Sequence, residues 1–248
     1  MTERLKGRVA VITGGAGGIG QAIAERLASE GASIAVADVA STDETKRMVE
    51  EKGQRFLGIK CDVSAPADVQ EFAACVSSDL GPVDILVNNA IVVEMASFED
   101  VTFDQWKSTF AVNVHGYFLM VKAVLGDLKR SKAGRIINMS STSFWRNVPS
   151  LVPYVAAKGG VFGFTNALAT DLGKYDITVN AIAPGLVRTP ATRRIQTEAR
   201  FAELIEMQVL KKELTPADVA GVASFLASDD ASLMTGQVMV VDGGLTRR

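Results

Sequence analysis

The chain has 248 residues, and its 26 Lys and Arg residues nearly balance its 28 Asp and Glu residues, for a formal net charge of −2. Apolar residues make up 48% and charged residues 22%, a globular composition that is long enough for one large α/β domain. The basic residues are scattered and the apolar runs are strand-sized, which argues against a nucleic-acid-binding surface and against a membrane-spanning helix. Two cysteines and one histidine argue against a disulfide framework and a metal site. Because the N-terminus lacks a signal-peptide pattern, we expect a cytoplasmic protein.

Strand-like and helix-like segments alternate along the whole chain, and no linker or internal repeat interrupts them. Apolar, β-branched runs predict strands at 8–13, 33–38, 55–61, 83–87, 135–139, 177–182 and 237–241. Helical spacing predicts helices at 21–30, 41–52, 66–79, 103–129, 154–173, 191–210 and 216–227. The pattern predicts a single-domain, Rossmann-like, doubly wound α/β fold, with seven parallel strands and helices on both faces of the sheet.

A glycine-rich turn joins the first predicted strand to the first helix, in the order Gly14-Gly-Ala-Gly-Gly-Ile-Gly20. Glycines there allow the backbone to approach a pyrophosphate, and the following helix N-terminus offers N–H groups with partial positive charge. Asp38 ends the second strand, eighteen residues after Gly20, where a carboxylate can accept hydrogen bonds from ribose hydroxyls. Such a carboxylate would repel a 2′-phosphate, and no Arg follows it in 39–42, so the sequence favours NAD over NADP.

Tyr154 and Lys158 are four residues apart at the start of a predicted helix, so they share one helix face. A phenol has an ordinary pKa of about 10, and a nearby ammonium favours its ionised form. Lowering the pKa to neutrality takes about 4 kcal/mol, more than one exposed ammonium supplies, so a second cation and burial are required. Taken alone, the pair is also compatible with two solvated surface side chains.

Polar side chains follow two of the predicted strands, and their carboxyl ends should lie at one edge of the sheet. Asn88 and Asn89 follow the strand at 83–87, and Ser140 and Ser141 follow the strand at 135–139. Asn113 lies in the middle of a long predicted helix, three residues before a glycine, where an amide that competes for backbone partners predicts a local distortion.

Together these residues resemble the short-chain dehydrogenase/reductase family over essentially the whole chain. Each motif is weak alone, but the set in this order and spacing is specific: Thr13-Gly14-x-x-x-Gly18-x-Gly20, Asp62-Val63, Asn88-Asn89-Ala90, Asn113, Ser141, Tyr154-x-x-x-Lys158, Pro184-Gly185 with Thr189, and Asp242-Gly243-Gly244. The resemblance implies a homotetramer that interconverts an alcohol and a ketone with a nicotinamide dinucleotide.

The resemblance also implies roles for individual residues. Tyr154 would exchange the proton with the substrate, Ser141 would bind the substrate oxygen, and Lys158 would bind the nicotinamide ribose and lower the pKa of Tyr154. Asn113 would bind a water that links Lys158 to solvent, and the oxidised nicotinamide would be the second cation. The implied cofactor-binding residues are Gly14, Gly18, Ile19, Gly20, Asp38, Asp62, Val63, Asn89, Ala90, Tyr154, Lys158, Pro184, Gly185, Val187 and Thr189. Ile91 departs from the family, which usually has Gly there.

The substrate pocket is expected between three segments, at 93–96, at 142–151 and in a lid at about 186–210. Its predicted lining residues are mainly apolar: Val93, Met95, Ser143, Phe144, Trp145, Leu151 and Leu186. This set favours a hydrophobic, aromatic secondary alcohol, and the chain is similar to aryl secondary-alcohol dehydrogenases of the phenylethanol type. Alternatives are pyridoxal oxidation, reduction of a 3-oxoacyl thioester, and a non-catalytic dinucleotide-binding regulatory protein. The intact Asn113, Ser141, Tyr154 and Lys158 set argues against the last alternative.

Overall fold

The computed structural model describes residues 3–246, which form one parallel sheet with helices on both faces. The strands are β1 (Val9–Thr13), β2 (Ser33–Asp38), β3 (Phe56–Lys60), β4 (Ile85–Asn88), β5 (Arg135–Met139), β6 (Thr178–Pro184) and β7 (Val238–Val241). They lie in the order β3-β2-β1-β4-β5-β6-β7, and every pair is parallel. The predicted seven-stranded, doubly wound fold is confirmed.

Nine α-helices lie within the described part of the chain: α1 (Gly18–Ser29), α2 (Asp43–Glu50), α3 (Pro66–Asp79), α4 (Phe103–Phe110), α5 (Gly116–Arg130), α6 (Val152–Leu172), α7 (Pro190–Ile195), α8 (Glu198–Met207) and α9 (Pro216–Ala227). Helices α1 and α9 pack against one face of the sheet, and α3, α5 and α6 pack against the other. Successive side chains of β1 alternate between these two cores, because neighbouring residues of a strand point to opposite faces.

The helix predicted at 103–129 is interrupted by a π-helical turn, Ala111–His115, so the distortion expected at Asn113 is confirmed. The whole segment Phe103–Arg130 is long and apolar enough by composition to cross a membrane, which corrects the expectation that no run reaches that length. Its side chains Met120, Val124 and Leu128 are nevertheless buried in the core beneath the sheet. Burial of this face in the core accounts for part of the apolar composition, while Phe103 and Phe118 of the same segment are exposed.

The lid segment, residues 186–210, contains two short helices where one amphipathic helix was predicted. Helix α7 ends before Gln196, whose backbone is extended, and α8 begins after Thr197. The Thr197 side chain accepts a hydrogen bond from the Arg200 backbone N–H, so it caps the second helix. The residues on both sides of the break favour a helix, so the Thr197 cap determines where the second helix begins.

A cleft of about 950 Å³ follows the carboxyl ends of the strands. The strand order reverses between β1 and β4, and residues after β1 to β6 line the cleft. In open α/β sheets, ligands bind at this edge, next to the point where the order reverses.

Candidate active site

The glycine-rich turn brings the start of α1 close to β1 and β4. Gly14 and Gly18 have positive φ angles of 65° and 57°, a conformation that favours glycine. A Cβ atom on Gly20 would lie 2.2 Å from the Gly14 carbonyl oxygen and 2.6 Å from the Asn89 Nδ2 atom. Helix α1 has no side-chain cap and no acidic residue in its first turn, so its N–H groups remain available to an anion.

Asn89 and Thr13 fix this turn to the end of β4. Asn89 Nδ2 donates to the carbonyl oxygens of Thr13 and Gly14, at 3.0 and 2.9 Å. Thr13 Oγ1 in turn accepts from the backbone N–H groups of Asn89 and Ala90, at 2.9 and 3.0 Å. Asn88, the neighbouring amide, points into the core instead and is fully buried.

Two carboxylates line the cleft after β2 and β3. Asp38 accepts hydrogen bonds from the backbone N–H groups of Ala16 and Ala40, both at 2.9 Å. Asp62 accepts from the backbone and the hydroxyl of Ser64. Each carboxylate is therefore positioned by the chain and still has acceptor capacity towards the cleft.

Asn113 lies in the π-helical turn and is fully buried. Its Oδ1 accepts from the Val92 backbone N–H at 2.9 Å, and its Nδ2 donates to the Val92 carbonyl at 2.8 Å. The amide therefore binds the loop after β4. In this loop Ile91 borders the cleft with a φ angle outside the left-handed region, so the branched side chain causes no backbone strain there.

Ser141, Tyr154 and Lys158 converge at the cleft, from the end of β5 and the first two turns of α6. Ser141 Oγ accepts from the backbone N–H and from the hydroxyl of Ser143, at 3.1 and 2.9 Å. With its lone pairs used in this way, the Ser141 hydroxyl can donate its hydrogen. It hydrogen-bonds to Tyr154, which favours the ionised phenol, but burial is the larger effect and raises the pKa of Tyr154.

The ammonium group of Lys158 contacts a second tyrosine that the sequence analysis did not identify. Lys158 Nζ donates to Tyr117 Oη at 3.1 Å and to the Met139 carbonyl oxygen at 2.7 Å. Tyr117 Oη also donates to the Met139 carbonyl, at 3.1 Å. Burial lowers the pKa of Lys158 to about 7 and raises that of Tyr117 well above its ordinary value.

These contacts differ from the expected pairing of Lys158 with the oxygen of Tyr154. Lys158 Nζ lies 5.7 Å from the centroid of the Tyr154 ring, and its two hydrogen bonds go to Tyr117 and Met139. Burial also makes the pKa of Tyr154 higher than usual rather than lower. The expectation missed Tyr117 because an aromatic residue in an apolar helix normally indicates core packing. Its position four residues after Asn113 is the available sequence clue.

A chain of buried side-chain hydrogen bonds fixes α6 to the sheet. Asn88 Nδ2 donates to Asn138 Oδ1 at 2.9 Å, Asn138 Nδ2 donates to Thr165 Oγ1 at 3.0 Å, and all three residues are fully buried. Ser140 Oγ also donates to the Lys158 carbonyl, at 3.1 Å. These contacts fix α6 relative to the sheet and so determine where it presents Tyr154 and Lys158, while the Asn88 Oδ1 atom has no hydrogen-bond partner among the described residues.

The other residues predicted to bind a cofactor also border the cleft. These are Ile19, Val63, Ala90, Pro184, Gly185, Val187 and Thr189. Two of them carry backbone or side-chain contacts within the lid: the Val187 carbonyl accepts from Thr192 Oγ1 at 2.7 Å, and Thr189 caps α7.

The predicted substrate wall divides into residues that line the cleft and residues that do not. Val93, Ser143, Leu151 and Leu186 line it. Met95, Phe144 and Trp145 do not line it.

The short 3₁₀ turn Thr142–Trp145 explains where the two aromatic residues go. It directs Phe144 over α6, where the ring lies above Gly159 and stacks on Phe162 at 6.3 Å between centroids. Trp145 lines a neighbouring depression with Met207. Met95, outside the cleft, accepts a hydrogen bond at its sulfur from Gln196 of the lid at 3.5 Å.

Arginines line this part of the cleft where aromatic residues were predicted. Arg146 follows the 3₁₀ turn, Arg194 lies on α7 and Arg200 lies on α8. Val148, Ile195 and Leu204 add apolar surface between them. The substrate end of the cleft is therefore both apolar and positively charged.

Comparison with known proteins gives full-length relatives. A family model described as enoyl-(acyl carrier protein) reductase matches residues 14–246. The chain is 37% identical over 245 residues to a probable galactose dehydrogenase, GalD, of Rhizobium meliloti (97% of this chain and 96% of that protein). It is 37% identical over 244 residues to the (2S)-[(R)-hydroxy(phenyl)methyl]succinyl-CoA dehydrogenase subunit BbsD of Thauera aromatica, with 97% of each covered.

Solved structures share the same fold. A putative short-chain alcohol dehydrogenase from Sinorhizobium meliloti superposes with a TM-score of 0.94 at 34% identity, over 99% of this chain and 98% of that one. A blue fluorescent protein from a metagenomic library, crystallised in complex with NADPH, superposes with a TM-score of 0.92 at 34% identity, over 98% and 100% of the two chains.

The close approach at Gly20 gives a test of the glycine-rich turn. Gly20→Ala is expected to lower the free energy of unfolding by about 1–3 kcal/mol, because its Cβ would overlap the Gly14 carbonyl and the Asn89 amide. Urea denaturation measures this loss. Gly221→Ala is the control: it lies within α9 with no atom near the added methyl, so it should be neutral or stabilising by up to about 1 kcal/mol. Equal stability of Gly20→Ala and the parent protein would contradict the packing described.

Proposed function

The chain belongs to the short-chain dehydrogenase/reductase family, and from this premise we propose that it interconverts a hydrophobic, aromatic secondary alcohol and its ketone with NAD. Relatives in this family are named dehydrogenases and reductases, so oxidation of an alcohol or reduction of a ketone is established at that level. The observation that carries the finer proposal is the convergence of Ser141, Tyr154 and Lys158 in a cleft with an apolar wall. That wall includes Val93, Leu151 and Leu186.

The residues at the other end of the cleft are suited to a dinucleotide. The uncapped N-terminus of α1 offers N–H groups for the diphosphate, and Asp38 can accept from the adenosine ribose hydroxyls. Asp62 and Val63 would border the adenine, and the lid residue Thr189 would bind the carboxamide. When bound, the nicotinamide accepts or donates the hydride and, in its oxidised form, adds a positive charge.

The proton of the alcohol is assigned to Tyr154. Ser141 can donate its one hydrogen either to Tyr154 or to a substrate oxygen at the same place, because Ser143 occupies its acceptor sites. Burial alone keeps the pKa of Tyr154 high, so ionisation requires positive charge nearby. Lys158, whose pKa of about 7 makes its charge sensitive to pH near neutrality, is one source, and the oxidised nicotinamide would be the other.

Support for an aromatic substrate comes from the apolar wall and from one relative. The name of BbsD describes a substrate with a hydroxyl on a phenyl-bearing carbon. Reduction of a 3-oxoacyl thioester and oxidation of pyridoxal remain alternatives within the family. A non-catalytic regulatory role is disfavoured by the complete Asn113, Ser141, Tyr154 and Lys158 set.

Assembly and location complete the proposal. We propose a homotetramer in the cytoplasm, and the assembly is supported by exposed apolar surface on the α4–α6 side of the molecule. Phe103 and Phe118 are 72% and 51% exposed, and Gly163 of α6 has open space where a partner helix could approach closely. Residues 186–210 are proposed to close over the substrate as a lid.

A substrate screen with NAD⁺ tests the enzymatic proposal directly. We expect aryl secondary alcohols such as 1-phenylethanol to reduce NAD⁺ with a higher kcat/KM than pyridoxal, polyols or hydroxyacyl thioesters. Tyr154→Phe should lower kcat by about 10²–10⁴-fold, because it removes the proton acceptor. Tyr175→Phe, a change of an exposed tyrosine outside the cleft, serves as the control and should leave the rate unchanged. Absence of turnover with every alcohol, or full activity of Tyr154→Phe, would sink the proposal.

The choice of cofactor depends on the Asp38 carboxylate. NAD⁺ should give a higher kcat/KM than NADP⁺, because Asp38 would repel the 2′-phosphate. Removing that charge in Asp38→Asn should raise the NADP⁺ to NAD⁺ ratio of kcat/KM by about tenfold, equivalent to about 1.4 kcal/mol. Asp43→Asn, at an exposed aspartate of α2 outside the cleft, should leave the ratio unchanged. A parent enzyme that prefers NADP⁺ would refute the role given to Asp38.

The contact between Tyr117 and Lys158 predicts a shift in the pH profile. Tyr117→Phe removes an acceptor from the ammonium group, so the pKa of Lys158 should fall further and less positive charge should remain near Tyr154. The acidic limb of kcat/KM for alcohol oxidation should move to higher pH by about 0.5–1 unit. Tyr175→Phe is again the control. A uniform loss of rate with an unmoved limb would instead indicate that Tyr117 is only structural.

A further inference from the structure

The arginines at the substrate end of the cleft differ in their partners. Arg200 pairs with Glu203 at 2.7 Å. Within residues 3–246, no ion pair or side-chain hydrogen bond of Arg146 or Arg194 is found. Arg188, a third arginine of the lid, does have partners: it binds Glu198 and Glu213 and stacks on the Phe201 ring at 4.2 Å. Arg146 and Arg194 lack such partners.

Charged groups of both signs lie near Arg146, and the acidic ones have other hydrogen-bond partners. Burial, and then repulsion by Arg200, lowers the pKa of Arg146, while Asp242 and Glu203 act in the opposite direction. The Asp242 carboxylate already accepts from the backbone N–H groups of the C-terminal turn and from the Thr246 hydroxyl. Glu203 is bound to Arg200. The acidic groups close to Arg146 are therefore already engaged.

The carboxylates that line the cleft lie at its other end. Asp38 and Asp62 follow β2 and β3, whereas Arg146 follows β5 and the lid arginines follow β6. Ser141 and Tyr154 lie on the arginine side of this division. Arg146 is half-buried, whereas Arg194 is exposed. A half-buried guanidinium without a hydrogen-bonded counter-ion is unfavourable, and carboxylates and phosphates match the planar donor geometry of both arginines.

We propose that the substrate carries an oxyanion, a carboxylate or a phosphate, which binds Arg146 and Arg194 while its carbinol carbon faces Tyr154. This inference rests on the proposed dehydrogenase function and narrows its substrate to a hydroxy acid or an anionic ester with an apolar body. The apolar side chains of Val148, Leu151 and Leu204 contact that body, and the arginines bind its charged end. A neutral aryl alcohol fills only the apolar half of this site.

Two substrates that differ mainly in charge, an acid and its methyl ester, measure what the oxyanion contributes to kcat/KM. For the parent enzyme, kcat/KM for 3-hydroxy-3-phenylpropanoate should exceed that for its methyl ester by at least about tenfold, mainly through KM. Arg146→Met and Arg194→Met, which remove charge and keep length, should each lower this acid-to-ester ratio by about 10–100-fold. Arg146→Lys keeps the charge but loses the planar donors, so its ratio should be intermediate.

Arg193→Met is the matched control, because Arg193 is the neighbour of Arg194 on α7 and does not line the cleft. It should leave the acid-to-ester ratio unchanged. A second pair, 3-hydroxybutyryl-coenzyme A and its N-acetylcysteamine thioester, distinguishes a phosphate from a carboxylate. If Arg146→Met and Arg194→Met change the kcat/KM ratio of this thioester pair alone, the oxyanion is a phosphate. If they change the acid-to-ester ratio alone, the oxyanion is a carboxylate.

Binding without turnover gives an independent readout. By titration calorimetry, 3-phenylpropanoate should bind at least about tenfold more tightly than 3-phenylpropanamide, and Arg146→Met should abolish the difference. If the parent enzyme oxidises neutral alcohols but shows no acid preference and no arginine effect, the anion proposal is wrong and the dehydrogenase proposal stands. If no alcohol is oxidised, the dehydrogenase proposal fails, and the calorimetric difference alone decides whether the arginines bind an oxyanion.

Discussion

The amino group of Lys158 is fully buried, and the elements around it hold it in that position. Burial lowers its pKa from 10.5 to about 7, which corresponds to a cost of about 5 kcal/mol for the charged form in the folded protein. Because the pKa is lower in the folded than in the unfolded chain, this cost is complete below pH 7 and disappears as the pH rises from about 7 towards 10.5. The oxygens of Tyr117 and Met139 partly offset it, since both accept from the ammonium, and the faces of the Tyr117 and Tyr154 rings add cation–π contacts at 5.1 and 5.7 Å.

The π-helical turn explains how Tyr117 comes to lie beside Lys158. A π-helical turn inserts one residue into a helix, which rotates everything after it by about 100° relative to an uninterrupted helix. Helix α5 begins directly after this turn, so the side to which Tyr117 points is set by the insertion at Ala111–His115. The same turn directs the Asn113 amide to the loop after β4. One backbone irregularity therefore positions both the partner of Lys158 and a wall of the cleft.

The parts of the site that could be predicted from the sequence are those encoded locally. The alternation of strands and helices, the distortion at Asn113 and the placement of Tyr154 and Lys158 on one helix face follow from spacing alone. Tyr117 could not be found in this way, because its role depends on rotation of α5 by a turn several residues earlier. The residues of the substrate wall could not be predicted from local sequence pattern either. Composition favoured Phe144, but the 3₁₀ turn directs its ring into the space above Gly159, and Arg146 lines the cleft instead.

The positive groups of the cleft form two separate systems. Burial raises the pKa of Tyr154, the Ser141 hydrogen bond opposes this, and no arginine is among the causes of the shift. Arg146 belongs to the connection between β5 and α6, and Arg194 and Arg200 belong to the lid, whereas Tyr154 and Lys158 are fixed to the sheet by the Asn88, Asn138 and Thr165 chain. Loops tolerate substitution more readily than buried networks. The loops that carry the arginines and the helix that carries Tyr154 are held by different contacts. Substitutions in these loops can therefore change the preferred charge of the substrate without moving Tyr154.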